Sequence, residues 1–121
     1  MGTDAVVSAV RDSAAARVPL RIAGRGTWLD AGRPVRAEKM LSLRDDAGVV
    51  GYVPGDLTLT VRTGTTLSEI EKVTRENDQW LPLDPYGSPD GTIGATLATA
   101  AAGPLASSCG VTRDHRLGLE L

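Results

Sequence analysis

The sequence predicts an α+β fold, on three observations. A short apolar run at 20–23 is bounded by Pro19 and Gly24. The runs 49–53 and 57–62 are rich in β-branched residues and are separated by Pro54-Gly55-Asp56. Apolar residues recur at helical spacing over 4–17 and again from Leu67. The resulting order, one helix, four strands, two helices and a last strand, is not the regular strand–helix alternation of a parallel α/β protein. With 121 residues the chain holds one ordinary domain.

The elements follow in chain order. Residues 4–17 form a helix with Asp4 as N-cap, Val6, Val7, Val10 and Ala14 at helical spacing, and Pro19 as its stop. Residues 20–23 are a strand, 24–28 a glycine loop and 39–43 a weaker strand, and Asp45-Asp46-Ala47-Gly48 is a turn. Strands 49–53 and 57–62 make a hairpin, with Leu57, Leu59 and Val61 on one face of the second strand and Thr58, Thr60 and Arg62 on the other. Gly64 breaks the second strand. Thr66-Leu67-Ser68-Glu69 is a capping box that opens a helix to about Asn77, whose inner face carries Leu67, Ile70, Val73 and Thr74. Trp80 is read as core. After a Pro- and Gly-rich connector, Thr92 caps a helix of small residues, 93–102, ended by Gly103-Pro104. The tail 117–121 reads as a strand cut off at its far end, as in a piece of a longer protein.

Composition excludes several functions. Phe is absent, so the core must come from Leu, Val and Ala. The 13 basic residues are dispersed and the net charge is −2, which argues against nucleic acid as a partner. A single Cys and a single His exclude an intrachain disulfide and a multi-Cys or multi-His metal site. No metal site is expected, and Asp45-Asp46 is read as a turn. The uncharged stretch 91–112 is as long as a bilayer span, but its Gly, Ala, Thr and Ser are small rather than greasy, so no transmembrane segment is expected. The N-terminal segment lacks a signal peptide's apolar run, and the protein is expected in the cytoplasm.

Two glycine-rich segments carry the chemistry. In Gly24-Arg25-Gly26-Thr27-Trp28-Leu29, glycines let backbone N–H groups approach a ligand, and Arg25 adds forked donors suited to phosphate. The same residues also fit a tight turn with an exposed Arg. A Rossmann fingerprint would need Gly where Leu29 stands, and no Walker A motif occurs. In Gly91-Thr92-Ile93-Gly94-Ala95-Thr96-Leu97-Ala98-Thr99, a helix N-terminus free of bulk suits a phosphate or a flat ring. An Ala-rich helix packed tightly on a sheet fits equally well.

Four phrases, 21–32, 52–71, Leu81-Pro82-Leu83-Asp84-Pro85 and 91–121, together resemble the FAD-linked oxidases of the vanillyl-alcohol-oxidase (PCMH) type. Their nearest likeness is to the FAD-binding subunits of bacterial glycolate oxidases. The resemblance implies the first α+β subdomain of a PCMH-type FAD-binding fold, 1–82, plus a connector and the start of a second, antiparallel subdomain, 83–121. It implies FAD contacts at Gly24, Arg25, Gly26, Thr27, Trp28 and Leu29. Further contacts are implied at Pro85, Gly91, Thr92, Gly94, Ala95, Ala98, Thr99 and Gly110. Ala95 stands where relatives have a second Gly, Cys109 where they have Tyr, and Arg116 where they have an aliphatic. No His in the first loop and no Cys before Thr92 is available for a covalent flavin bond, so the FAD is non-covalent.

The implied reaction is hydride transfer from a small 2-hydroxy acid such as glycolate to the flavin. The rest of the flavin domain and the substrate domain have no counterpart here, so no catalytic residue is assigned. Two other readings stay open. One is a truncated module that binds no flavin alone and associates with itself, through its tail strand, or with a partner chain. The other is an anion-binding domain without redox chemistry. Among the remaining residues, Cys109 is read as a small loop residue and His115 as a surface or strand-entry histidine. Arg113-Asp114 is read as a local ion pair, and Trp28 as a cover for either a flavin phosphate or ribose, or the core.

Overall fold

The computed structural model describes residues 2–120. Helix α1 (Thr3–Ala16) leads into strand β1 (Leu20–Ala23), followed by β2 (Lys39–Ser42), β3 (Val49–Val53) and β4 (Thr58–Val61). Helices α2 (Leu67–Arg75), α3 (Ile93–Thr99), α4 (Ala106–Cys109) and α5 (Thr112–His115) complete the order. The fold is α+β.

Strands β1 and β2 pair in parallel, Leu20 against Lys39 through Ala23 against Ser42. Parallel neighbours need a long crossover, and 24–38 supplies it without a helix. The glycine loop is therefore the start of a crossover at the carboxyl end of β1, the end where open sheets with parallel strands place ligands. Strands β3 and β4 form the expected hairpin, with a register shift between Val49 and Gly51. Pro54–Asp56 is a turn of 3-10 helix, and Leu57 ends it in the left-handed region at φ 55°. Leu57 is 77 % exposed, so of the three apolar residues expected on one face only Leu59 and Val61 are half-buried.

Helix α1 begins one residue earlier than predicted. Gly2 is its N-cap and Asp4 sits in its first turn. Its stop precedes Pro19: Arg17 is left-handed and the Val18 N–H donates to the Ser13 carbonyl at 3.0 Å. Ser13 is the buried position on this helix, while Val7 and Val10 are partly exposed. Helix α2 carries the predicted capping box, with Thr66 Oγ1 accepting from Glu69 N at 3.1 Å and Glu69 Oε2 accepting from Thr66 N at 2.7 Å. Ile70 and Thr74 are buried beneath it.

The core is small and unusually rich in hydroxyls. Ala23, Leu41, Ile70 and Ile93 are its buried apolar members, and Thr65, Thr66, Thr74, Thr92, Thr96 and Thr112 are buried beside them. Burying a hydroxyl is costly unless it is bonded, and these are. Thr65 Oγ1 donates to the Gly48 carbonyl, Thr74 Oγ1 to that of Ile70, Thr96 Oγ1 to that of Thr92, and Thr112 Oγ1 to that of Ala101. Trp80 is not core: it is 60 % exposed.

The C-terminal third departs most from expectation. Helix α3 ends at Thr99, because Ala100 turns left-handed and its N–H folds back to Leu97 and Thr96. The glycine–proline stop therefore lies beyond the helix end. The tail is not a strand over 117–120, since no described segment pairs with it; residue 121 lies outside the described residues. Two single-turn helices, α4 and α5, occupy the approach to it instead. Asp84 fastens this region to the connector, its carboxylate accepting from Leu105 N at 3.1 and 3.2 Å.

Candidate functional site

The loop after β1 is held by side chains of the two parallel strands. The Arg21 guanidinium donates to the Leu29 carbonyl at 2.5 Å, and Ser42 Oγ donates to the Gly24 carbonyl at 3.3 Å. Gly26 lies at φ 76°, where a β-branched residue is strongly disfavoured. Between these anchors the backbone N–H groups of Arg25, Gly26, Thr27 and Trp28 have no acceptor among the described residues. Successive unpaired amides next to an Arg are the kind of groups that can receive an anion.

The start of α3 behaves otherwise. Ile93 N donates to the Thr65 carbonyl and Gly94 N to that of Thr63, both at 2.9 Å. Ala95 N donates to Thr92 Oγ1 at 3.2 Å and Thr96 N to the Thr92 carbonyl at 3.1 Å. The amides expected to be free for a phosphate are thus used to fasten α3 to the β4–α2 turn. Gly94 is explained by the same junction, because a β-carbon there would stand 2.8 Å from the Thr63 carbonyl oxygen. Among the predicted donors, the free amides belong to the first loop.

The two segments meet directly. A β-carbon on Gly24 would lie within 3.0 Å of Thr92 Cγ2 and closer still to its hydroxyl. Beside this junction lies a shallow cleft lined by Thr27 and Trp28 from the first loop, Pro85 from the connector, and Gly91, Thr92, Ala95 and Thr99 from the second segment. Its enclosed volume is only about 10 Å3, far below the ~300–1,000 Å3 of ordinary small-molecule pockets, so it is a shallow crevice that can meet one part of a ligand without enclosing it. Of the other predicted residues, Gly24 and Gly26 shape the loop, and Arg25, Leu29 and Ala98 are exposed. Gly110 stands apart, at φ 93° against Asp114.

Leu67, Tyr86, Ser88 and Ala101 also line the cleft and were not anticipated, as does Thr96 from within the second segment. Thr96, one turn after Thr92, was legible from helical spacing, and Tyr86 from its place beside Pro85. Most hydroxyls here are already engaged: Thr92 caps its helix, and Thr96 and Thr99 bond to carbonyls one turn back. Thr27 Oγ1, Trp28 Nε1 and the Tyr86 hydroxyl have no hydrogen-bond partner among the described residues.

The local electrostatics favour a negative ligand near the loop without being strongly positive. Arg25 is exposed and pairs with no carboxylate within 4 Å among the described residues. Glu69 is held below the ordinary carboxylate range, first by the Thr66 backbone N–H, then by the Thr66 hydroxyl, and to a lesser degree by the Arg25 charge.

Two minor expectations are corrected, and the Asp45-Asp46 turn stands. Arg113 and Asp114 form no ion pair. Asp114 Oδ2 instead accepts from Val111 N at 2.8 Å, capping α5. His115 is half-buried on α5 rather than at a strand entry, and its Nε2 is buried without a partner among the described residues. Asp46 is engaged in the fold, accepting from Arg62 at 3.1 Å. Among the described residues no helix is long and apolar enough to cross a membrane.

Comparison with known proteins fits this arrangement. Residues 2–121 match the family described as FAD binding domain. The glycolate oxidase subunit GlcE of Escherichia coli (strain K12) is 34% identical over 121 residues, covering 98% of this chain and 34% of its own length. The glycolate oxidase subunit GlcD of Bacillus subtilis (strain 168) is 28% identical over 106 residues, 87% of this chain and 23% of the relative. The D-lactate dehydrogenase of Anaerostipes hadrus is 26% identical over 114 residues, 93% of this chain and 24% of the relative. The chain therefore spans about a third of the first relative and about a quarter of the other two.

Proposed function

The chain belongs to the FAD binding domain family, and from that premise we propose that it forms the dinucleotide-holding part of a flavin-dependent oxidoreductase acting on a small 2-hydroxy acid such as glycolate. The relatives named as glycolate oxidase subunits and as a D-lactate dehydrogenase support the substrate class. The bound flavin supplies the hydride acceptor, and the protein's part is binding and orientation.

The observation that carries the reading is the row of amides from Arg25 to Trp28 at the carboxyl end of β1, unpaired among the described residues. In this reading they receive the pyrophosphate, with Arg25 as a charged arm, and the cleft beside Thr27 receives a neighbouring part of the cofactor. Gly24, Gly26 and Leu29 shape that loop. Gly91, Thr92, Ala95 and Thr99 line the opposite wall, with Gly94 packed behind it on Thr63 and Ala98 exposed on the same helix, Pro85 at the margin and Gly110 further along the chain. The FAD is held without a covalent bond. Equilibrium dialysis of FAD against the chain and its Gly26→Val variant tests this. Retention by the first and loss by the second is expected, and equal retention by both would overturn the assignment of the loop.

A second reading, in which the chain needs a partner to hold flavin, draws on one observation. The β1–β2 pair is only two strands wide, and Ile22 and Met40 on it are 59 % and 61 % exposed. Two-stranded sheets need further packing to be stable. A second copy of the chain, another subunit or further parts of the flavoprotein could supply that packing. Light scattering run beside the dialysis separates the two readings.

A further inference from the structure

The β3–β4 hairpin presents an edge with no neighbour. The Leu57 N–H donates to the Pro54 carbonyl, so residues 54 and 57 are a hydrogen-bonded pair. By the alternation of antiparallel ladders, the next such pair is Tyr52 with Leu59. The backbone groups of Gly51 and Val53 then point to the outer side of β3. Neither residue makes a backbone bond outside the hairpin among the described residues, and β3 pairs with β4 alone. Of the two edges, that of β3 is the more open: Val49, Val50, Gly51 and Val53 are exposed, whereas in β4 only Thr60 is. Edge strands are ordinarily guarded by Lys, Pro or an inward charge. The run Val49-Val50-Gly51-Tyr52-Val53 has none of these, and its one irregularity, the register shift, lies at its first end. Gly51 is a second, separate observation. Its φ is not left-handed, and a β-carbon there would meet nothing within 4 Å. The chain's own packing has no need of a glycine there, yet glycine weakens a strand, and one in a strand interior often marks the close approach of another backbone.

We propose that β3 is a homodimer interface, on which a second copy lays its own β3 antiparallel to give a four-stranded sheet in the order β4, β3, β3, β4. With the two-fold axis at Gly51, the two glycines face each other. Tyr52 then lies opposite the partner's Val50, and Val53 opposite the partner's Val49. An aromatic ring against a β-branched side chain is a favourable cross-strand pair. The occupant is a second copy because the row matches itself. It is uncharged, so two copies meet without like-charge repulsion, and one surface serves both sides, as a closed two-fold contact requires. The hairpin gains as well, since two strands alone are marginal and a wider sheet is not. This contact uses neither the β1–β2 pair nor the tail, and it stands independently of the flavin reading.

Sedimentation of the chain across a wide range of concentration, with amide deuterium exchange at both extremes, tests this. A monomer–dimer equilibrium is expected. The Gly51 and Val53 amides should be protected in the concentrated sample and exchange fast on dilution. Val50→Lys, at a position 64 % exposed, should weaken dimerisation about tenfold by setting like charges into the new sheet, with denaturant unfolding unchanged. Leu117→Lys, on the tail and 86 % exposed in the parent, should leave the dimer intact. A chain that stays monomeric throughout would overturn the proposal. A dimer in which Gly51 and Val53 exchange as fast as in the dilute chain would overturn it too, without recourse to any variant. So would a dimer that survives Val50→Lys and is lost with Leu117→Lys, which would place the contact on the tail.

Discussion

Gly24 and Thr92 share one contact in which there is no room for a β-carbon: it would lie within 3.0 Å of Thr92 Cγ2 and closer to Oγ1. This contact joins the end of β1 to the cap of α3. Gly24→Ala should destabilise the protein by ~1–3 kcal/mol, the usual range for overpacking. Thr92→Ala makes room but loses a cap, which costs ~1 kcal/mol. The double variant should therefore be more stable than the sum of the two losses implies, as measured by denaturant unfolding. Strict additivity would show that the two residues do not press on each other.

Gly26→Val should remove FAD binding while leaving a cooperative unfolding transition. Its φ of 76° is one that Val resists, and the branched side chain would cover the unpaired amides. Arg25→Ala should weaken binding by about 1–3 kcal/mol, the cost of losing a hydrogen bond to a charged group. Calorimetric titration checks both, and an unchanged affinity in the Arg25 variant would mean that its side chain points to solvent.

Acid stability should depend on Glu69. Its carboxyl is held below its usual 4.5 by the bonds from Thr66, so the charged form is favoured in the folded chain. The contribution is complete above about pH 4.5 and is lost as pH falls through the lowered folded value. Glu69→Gln keeps an acceptor for the capping box and should flatten this part of the stability profile below pH 5. Glu69→Ala should cost ~1 kcal/mol at neutral pH. A Gln variant with the parent's acid profile would assign the pH dependence elsewhere.

Asp84→Ala should loosen the C-terminal third. The Asp84 carboxylate receives the Leu105 N–H, and Gly103 is pressed so closely on its backbone that no side chain fits. Leaving that amide without a partner costs about 1–3 kcal/mol. Proteolysis at limiting protease should shift towards residues 100–110 in this variant, and an unchanged cleavage pattern would argue against the tether.

Local chemistry made much of this fold readable. The limits of β1 and β3, the capping box at Thr66 and Glu69, and the hairpin all follow from residues close together in sequence. What was not readable depends on partners distant in sequence. The end of α3 at Ala100 uses a left-handed Ala, and the stronger Gly103-Pro104 stop three residues on concealed it. Trp80 looks like core in any local window, yet its neighbours leave it at the surface. The tail has strand-like residues but no described strand to pair with. In the cleft, the glycines and Trp28 were legible. Arg21 as the clamp on Leu29, and Thr63 and Thr65 as acceptors for the start of α3, were not, since nothing local marks a carbonyl as taken.

The occupied amides at the start of α3 divide the site by exchange kinetics. Ile93, Gly94, Ala95 and Thr96 each donate within the chain whether or not anything is bound. Their deuterium uptake should be slow and insensitive to cofactor, set by opening of the fold itself. Arg25 to Trp28 have no such acceptor among the described residues, so their amides should exchange within seconds in the empty protein and slow only when a ligand covers them. One wall of the site is thus built before the cofactor arrives, and the other is completed by it.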